Sequence, residues 1–221
     1  MKALVVVAHP DDETIWAGGA ILRHPGWEWV ALSLCRADDP DRAARFRFAM
    51  NDLGVNGLIS DLDDSPVLAP LSPEWDEISS RMLAMLPSRD YDFILTHGAR
   101  GEYTRHERHE QVHNAVCALV ARGSLTGRLV VFAYEDGGGS YYPRPAPDAD
   151  IMVGLSSEEF AEKRRIVSDV YGYPDGSFEL SSCERVEAFK AFDRSQPLSE
   201  MGPLARLEPK KGERIAHRSS V

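Results

Sequence analysis

Cysteine is scarce in this 221-residue sequence: Cys35, Cys117 and Cys183 are an odd, scattered set with no CxxC pair. That excludes a disulfide framework and suits thiols kept reduced in a cytoplasm. Long apolar runs are missing as well. The run Ala3–Ala8 is too short for a signal-peptide core, polar residues follow it at once, and no stretch approaches the ~20 apolar residues of a membrane span. Basic blocks are also lacking: 25 Lys and Arg against 35 Asp and Glu leave a net charge of −10. Such a chain repels polyphosphates and anionic lipid, so neither nucleic acid nor a membrane surface is an expected partner, whereas a neutral, sugar-like molecule meets no such objection.

What is present is the composition of an ordinary globular domain, 43% hydrophobic and 27% charged, in a chain long enough to bury a substantial core. The Val-rich run Ala3–Ala8 reads as a strand buried on both faces. Helical pattern follows over Glu13–Arg23, then a strand over Trp29–Cys35. Asp41–Leu53 reads as a helix opened by Pro40 and stopped by Gly54. A strand over Val55–Ser60, a helix over Glu74–Leu86, a strand over Tyr91–Thr96, a helix over His106–Ala121 and a strand over Arg128–Tyr134 complete a β-α alternation. Beyond Pro143 a Pro-rich connector leads to helical stretches over Ser157–Tyr171 and Cys183–Arg194. From Pro197 the chain is polar and aperiodic, which predicts a tail over 197–221. The alternation predicts an α/β fold: a three-layer αβα, Rossmann-like domain with a mostly parallel sheet, whose ligands bind beyond the carboxyl ends of the strands.

The polar clusters fall at those strand ends. Ala8-His9-Pro10-Asp11-Asp12-Glu13 follows the first strand and places an imidazole beside three carboxyl groups. Helix capping alone accounts for carboxylates at a helix start, but it leaves His9 unexplained. A divalent metal uses both. The segment His97-Gly98-Ala99-Arg100-Gly101-Glu102-Tyr103-Thr104-Arg105-His106-Glu107-Arg108-His109 follows the fourth strand, and His106, His109 and His113 share one helical face. His24 and His217, by contrast, are isolated and read as ordinary surface or core histidines. His109-Glu110-Gln111-Val112-His113 is a literal HExxH, the zinc metalloprotease pattern, but that reading gives the His9 cluster no role and suits a parallel α/β sheet poorly.

Ala8–Glu13, read with Gly101-Glu102-Tyr103, His106 and His109, resembles the PIG-L/LmbE family of zinc-dependent N-acetylglucosaminyl deacetylases and related amide hydrolases. Looser matches, Arg42–Val55, Tyr91–His97 and Lys190–Gln196, extend the resemblance over residues 1–196, taken as one domain. The resemblance implies that His9, Asp12 and His109 hold zinc, that Asp11 is the general base, and that a protonated His106 stabilises the oxyanion and assists departure of the amine. Two histidines and one carboxylate leave a coordination position open, as catalytic zinc sites do, and also suit ferrous iron. The implied reaction removes an N-acyl group, N-acetyl above all, from an N-acetylglucosamine-type sugar or glycoside. A homo-oligomer is compatible with it, and the contrasting reading is a sugar-binding scaffold without chemistry. Arg105 and Glu107-Arg108 depart from the glycine and Pro-Asp frequent in the family. Arg100, Glu102, Asp64, Tyr141 and Tyr142 are candidate substrate contacts because they sit on strand-exit loops, and Gly137-Gly138-Gly139 is a candidate lid.

Overall fold

A computed structural model describes residues 1–64, 74–104 and 106–192. The expected tail over 197–221, the Ser-Gln end of the last family match and Arg105 lie outside them.

The elements run β1 (Lys2–Val7), α1 (Asp12–Arg23), β2 (Glu28–Cys35), α2 (Pro40–Leu53), β3 (Asn56–Leu62), α3 (Glu74–Met85), β4 (Asp90–Thr96), α4 (Glu107–Ala121) and β5 (Thr126–Phe132). Then come β6 (Tyr134–Glu135), β7 (Arg144–Pro145), β8 (Ile151–Gly154), α5 (Ser157–Arg165) continuing into a π-helical turn over Ile166–Val170, α6 (Phe178–Ser181) and β9 (Val186–Ala191). The main sheet has the order β3-β2-β1-β4-β5-β9-β8; β1 to β5 are mutually parallel, and β9 is antiparallel to both β5 and β8. Short strands β6 and β7 pair separately.

Alternation along each strand builds the three layers. In β1, Ala3, Val5 and Val7 enter a core shared with α1 and α2, while Leu4, Val6 and the following Ala8 enter a second core shared with α3 and α4; all six are fully buried. A strand covered on both faces has no polar side, hence its unbroken apolar run. Local chemistry sets the helix ends. Asp39 accepts from the Asp41 and Arg42 backbone N–H groups, Pro40 occupies the first turn, and Gly54 closes α2 at φ 68°.

The expected helix over Cys183–Arg194 is corrected: its centre is strand β9. The misleading residue is Glu187, which is fully buried, so a charge stands where a strand pattern calls for an apolar side chain. Its carboxylate pairs with the buried Lys163 ammonium of α5 at 2.7 Å and accepts from Gly19 and Ala20 N–H of α1 at 2.7 and 2.8 Å. Those partners lie far away in sequence. Gly19 is also the point where α1 meets the start of α5, since a Cβ there would stand 2.3 Å from Leu155 Cδ2. Gly19→Ala is therefore expected to cost about 1–3 kcal/mol through overpacking, read as a lower denaturant midpoint at constant slope.

Among the described residues no helix is long and apolar enough to cross a membrane. The strand order reverses between β1 and β4, whose exits carry the two histidine clusters, and such a switch point is where an open α/β sheet leaves a crevice.

Candidate active site

The turn after β1 is strained and tightly held. Asp11 has φ 132°, a region disfavoured for a side chain, and although it occupies the N-cap position of α1 its carboxylate makes no cap hydrogen bond. Glu13, fully buried, secures the turn by accepting from Asp11 N–H at 3.2 Å, Thr14 Oγ1 at 2.7 Å and Tyr171 Oη at 2.6 Å. Asp12 accepts from His9 N–H at 2.9 Å and from Trp16 Nε1 at 3.0 Å. Capping by Asp11 is thus ruled out as the reason for its carboxylate.

Asp12 Oδ2 lies 3.3 Å from His9 Nδ1 and 3.3 Å from His109 Nε2, and those two ring nitrogens are 3.2 Å apart. A tetrahedral ion with bonds of about 2.0–2.1 Å requires ligand-to-ligand edges of about 3.3 Å, so the three atoms fit a shared face of such an ion. His97 Nε2 is 3.6 Å from the same oxygen but already accepts from Ala8 N–H at 2.9 Å, which removes it from the donor set. His106 packs its ring 4.5 Å from that of His109 and 4.8 Å from that of His9.

Charge follows geometry. Burial opposes charge on both His9 and His109, yet the neighbouring carboxylates, Asp12 foremost, outweigh it and raise them to about 9 and about 10. Asp12 is held well below the carboxylate range by His109 and His9 against the effect of burial. Asp11 moves oppositely: burial and the Asp12 charge push it up to about 8, partly offset by the Tyr173 hydrogen bond. For His106, burial and the charges of His109 and His9 bring it down to about 4. In the metal-free protein these neighbours favour the neutral form of the His106 imidazole.

A pocket of about 200 Å³ is lined by His9, Asp11, Asp12 and His106, by the polar Arg36, Arg42, Asp64 and Glu179, and by the aromatic Trp16, Tyr103 and Phe178. The PIG-L family model, described as GlcNAc-PI de-N-acetylase, matches residues 4–120, over half of the sequence and both clusters. The chain belongs to the PIG-L family. Among curated proteins it is 27% identical to the 1D-myo-inositol 2-acetamido-2-deoxy-alpha-D-glucopyranoside deacetylase of Actinosynnema mirum, over 58% of each chain. The chain spans little more than half the length, 53% and 58%, of the curated relatives it matches. The fold is shared with the 4-carboxy-2-hydroxymuconate hydratase of Pseudomonas putida KT2440 (TM-score 0.63, 15% identity, 87% of this chain and 96% of that one). It is shared too with the N,N'-diacetylchitobiose deacetylase of Pyrococcus horikoshii (TM-score 0.60, 15% identity, 86% and 82%).

Within this PIG-L chain the remaining candidates separate. Asp64 lines the pocket, 3.1 Å from His9 Nε2 and 2.8 Å from Arg36, and these partners bring its carboxyl down to about 2 against the pull of burial. Glu102 is corrected as a substrate contact: at 1% exposure it does not line the pocket, and its carboxylate is taken up by His97 and His109, whose ring nitrogens hold it at about 2 despite burial. Arg100 is exposed and does not line the pocket. Tyr141 donates to Glu135 at 3.0 Å beneath Arg144, and Tyr142 is exposed with its ring 6.1 Å from that of Phe178. Gly137–Gly139 all have left-handed φ, in a turn whose Asp136 accepts from Thr104 N–H at 2.5 Å and Gly138 N–H at 2.9 Å. In the HExxH pattern, His113 places Nδ1 2.8 Å from the His97 carbonyl oxygen and faces Cys117 with Nε2, so it does not join His109 in a shared site. Arg108, the family departure, is buried and donates to Gln111 and the Asp63 carbonyl, bracing the β3 exit against α4.

Sequence reasoning missed two residues beside Asp11. Tyr173 donates its hydroxyl to Asp11 Oδ2, and Arg42 Nη1 reaches the same oxygen at 3.5 Å while also touching Tyr173 Oη. Arg42 lies on α2, where the looser family match gives it no role, and Tyr173 follows the π-helical turn outside any motif. Tyr173→Phe is expected to lower kcat about tenfold or more by removing a hydrogen bond to a charged group, worth about 1.5–3 kcal/mol. Because that bond favours the carboxylate, its loss pushes Asp11 further up, so the rising limb of the pH–rate profile is expected to move to higher pH.

Proposed function

We propose that this protein is a divalent-metal-dependent amide hydrolase that removes an N-acyl group, N-acetyl above all, from a glucosamine-type sugar or its glycoside. The observation that carries the reading is the convergence of His9 Nδ1, Asp12 Oδ2 and the buried His109 Nε2 beside a pocket that the strained, uncapped Asp11 also lines. His9, Asp12 and His109 would hold zinc or ferrous iron, which would supply Lewis acidity toward the amide carbonyl and acidify the attacking water.

The chain's own groups handle protons and orientation. Asp11 takes the proton of the attacking water, and a carboxyl raised toward neutrality keeps that proton long enough to return it to the departing nitrogen. His106, neutral at the start, offers a ring N–H to the carbonyl oxygen as negative charge gathers there. Tyr173 and Arg42 hold Asp11 in place. Arg36, Asp64 and Glu179 suit sugar hydroxyls, and the aromatic pair Tyr103 and Phe178 suits the apolar side of a pyranose ring. The products are a carboxylic acid and a free amine.

The deciding experiment incubates zinc-loaded and ferrous protein with N-acetylated monosaccharides, nucleotide sugars and glycosides and detects freed primary amine. Release that stops on chelation and returns with metal is expected. Stoichiometric metal with no amine from any N-acyl sugar contradicts the reading.

A further inference from the structure

A buried relay ties the loop after β1 to the loop after β4. Ala8 N–H donates to His97 Nε2 at 2.9 Å, which makes that nitrogen an acceptor and puts the ring proton on Nδ1. His97 Nδ1 lies 2.8 Å from Glu102 Oε2, and His109 Nδ1 lies 2.8 Å from the same oxygen. Glu102 Oε1 accepts from Gly98 N–H at 2.9 Å. Three donors therefore converge on one carboxylate, all three side chains being sealed from solvent. The turn that brings them together is tight, since a Cβ on Gly98 would stand 2.9 Å from the Phe132 carbonyl oxygen.

We propose that Glu102 positions His109 for metal binding: it holds the Nδ1–H of that ring and thereby turns Nε2 toward Asp12 and His9 as the nitrogen that an ion takes. The inference rests on the metal-dependent reading above and extends it to a residue that touches neither ion nor substrate. A carboxylate behind an imidazole ligand fixes its tautomer and orientation and raises its basicity. Through His97 the same carboxylate links to Ala8, the residue before His9, so one group sets the spacing of ligands drawn from two distant segments.

Glutamine cannot replace it. With the amide oxygen toward the imidazoles, the NH2 group meets the Gly98 N–H; turned round, it meets the two ring N–H groups. Either way donor faces donor.

The test measures zinc and cobalt(II) affinity by chelator competition for wild type, Glu102→Gln and Leu119→Ala, beside thermal unfolding of each metal-free protein and the visible spectrum of each cobalt form. Leu119 is a buried side chain near the far end of α4 and serves as a control for simple destabilisation. Glu102→Gln is expected to bind about 10–100-fold more weakly and to shift the cobalt spectrum, while Leu119→Ala loses stability with affinity unchanged. Affinity within twofold of wild type in Glu102→Gln, or an equal loss in Leu119→Ala, overturns the positioning role. If Glu102→Gln does not fold, Glu102→Asp keeps the charge but shortens the reach, and several-fold weaker binding is expected; unchanged affinity there overturns the role too. Wild type that binds neither ion overturns the metal-dependent reading itself, and this inference with it.

Discussion

Replacing Asp11 by asparagine is expected to lower kcat by about 10²–10⁴, the usual contribution of a general base, while the protein keeps its metal. The substitution is nearly isosteric, and asparagine tolerates positive φ better than most residues, so the strained turn at φ 132° survives. The Tyr173 hydroxyl and Arg42 still find an amide oxygen to donate to. Nothing in the donor set is lost, because the three converging atoms belong to His9, Asp12 and His109. Stability offers an independent readout. Burial raises the Asp11 carboxyl to about 8, against an ordinary value near 4, so the folded state resists ionisation and carries a growing penalty as pH rises from about 4 to about 8. Asparagine removes that penalty. The metal-free variant should therefore gain on wild type in unfolding free energy across that window and hold a constant advantage above it. A fully active Asp11→Asn protein, or one that has lost its metal, refutes the assignment.

Much of this architecture is legible in the sequence because the signals are local. The unbroken apolar run of β1 requires two cores, and the two cores require helices on both faces. What sequence could not show is chemistry completed by distant partners. Glu187 makes β9 look unlike a strand until Lys163 and the N–H groups of Gly19 and Ala20 are placed around it. Glu102 sits on a strand-exit loop like a substrate contact, yet burial against His97 and His109 turns it inward. His9, Asp12 and His109 stand out through the family resemblance; Tyr173 belongs to no motif and Arg42 only opens the looser α2 match, and packing of the segment after α5 against α2 brings both to Asp11. His106 stands beside the cluster, and its spacing in the motif does not reveal that the rings of His9 and His109 lie within 5 Å of it and bear on its charge.

The fold alone does not choose the reaction. A hydratase and a chitobiose deacetylase share it at similar TM-scores, so the reaction is decided by side chains in the pocket. Here the relevant contrast is between Asp11 and Asp12, adjacent carboxylates driven in opposite directions. Asp12, beside two imidazoles, stays ionised and suits a ligand; Asp11, buried and beside Asp12, keeps a proton near neutrality and suits acid–base work.

Metal affinity is expected to climb steeply with pH. In the metal-free protein the imidazoles of His9 and His109 are raised to about 9 and about 10, so at neutral pH the three-atom cluster is occupied by protons that neutralise Asp12. An incoming ion must displace them, and binding should release about two protons at pH 7, measurable by titration calorimetry in buffers of different ionisation enthalpy. The apparent association constant then rises by up to about 100-fold per pH unit and levels off above pH about 10. Linkage fixes the sign for folding as well. Histidines whose folded values exceed the unfolded value near 6.5 stabilise the metal-free protein fully below that pH, and their contribution is lost as pH rises through about 9 to 10. Unfolding free energy of the metal-free protein should accordingly fall across that interval, whereas the loaded protein, with a cation already in place of the protons, should hold steady. Metal binding that releases no protons at pH 7 would show that the ion sits elsewhere, because these two rings cannot ligate through the converging nitrogens while those atoms remain protonated.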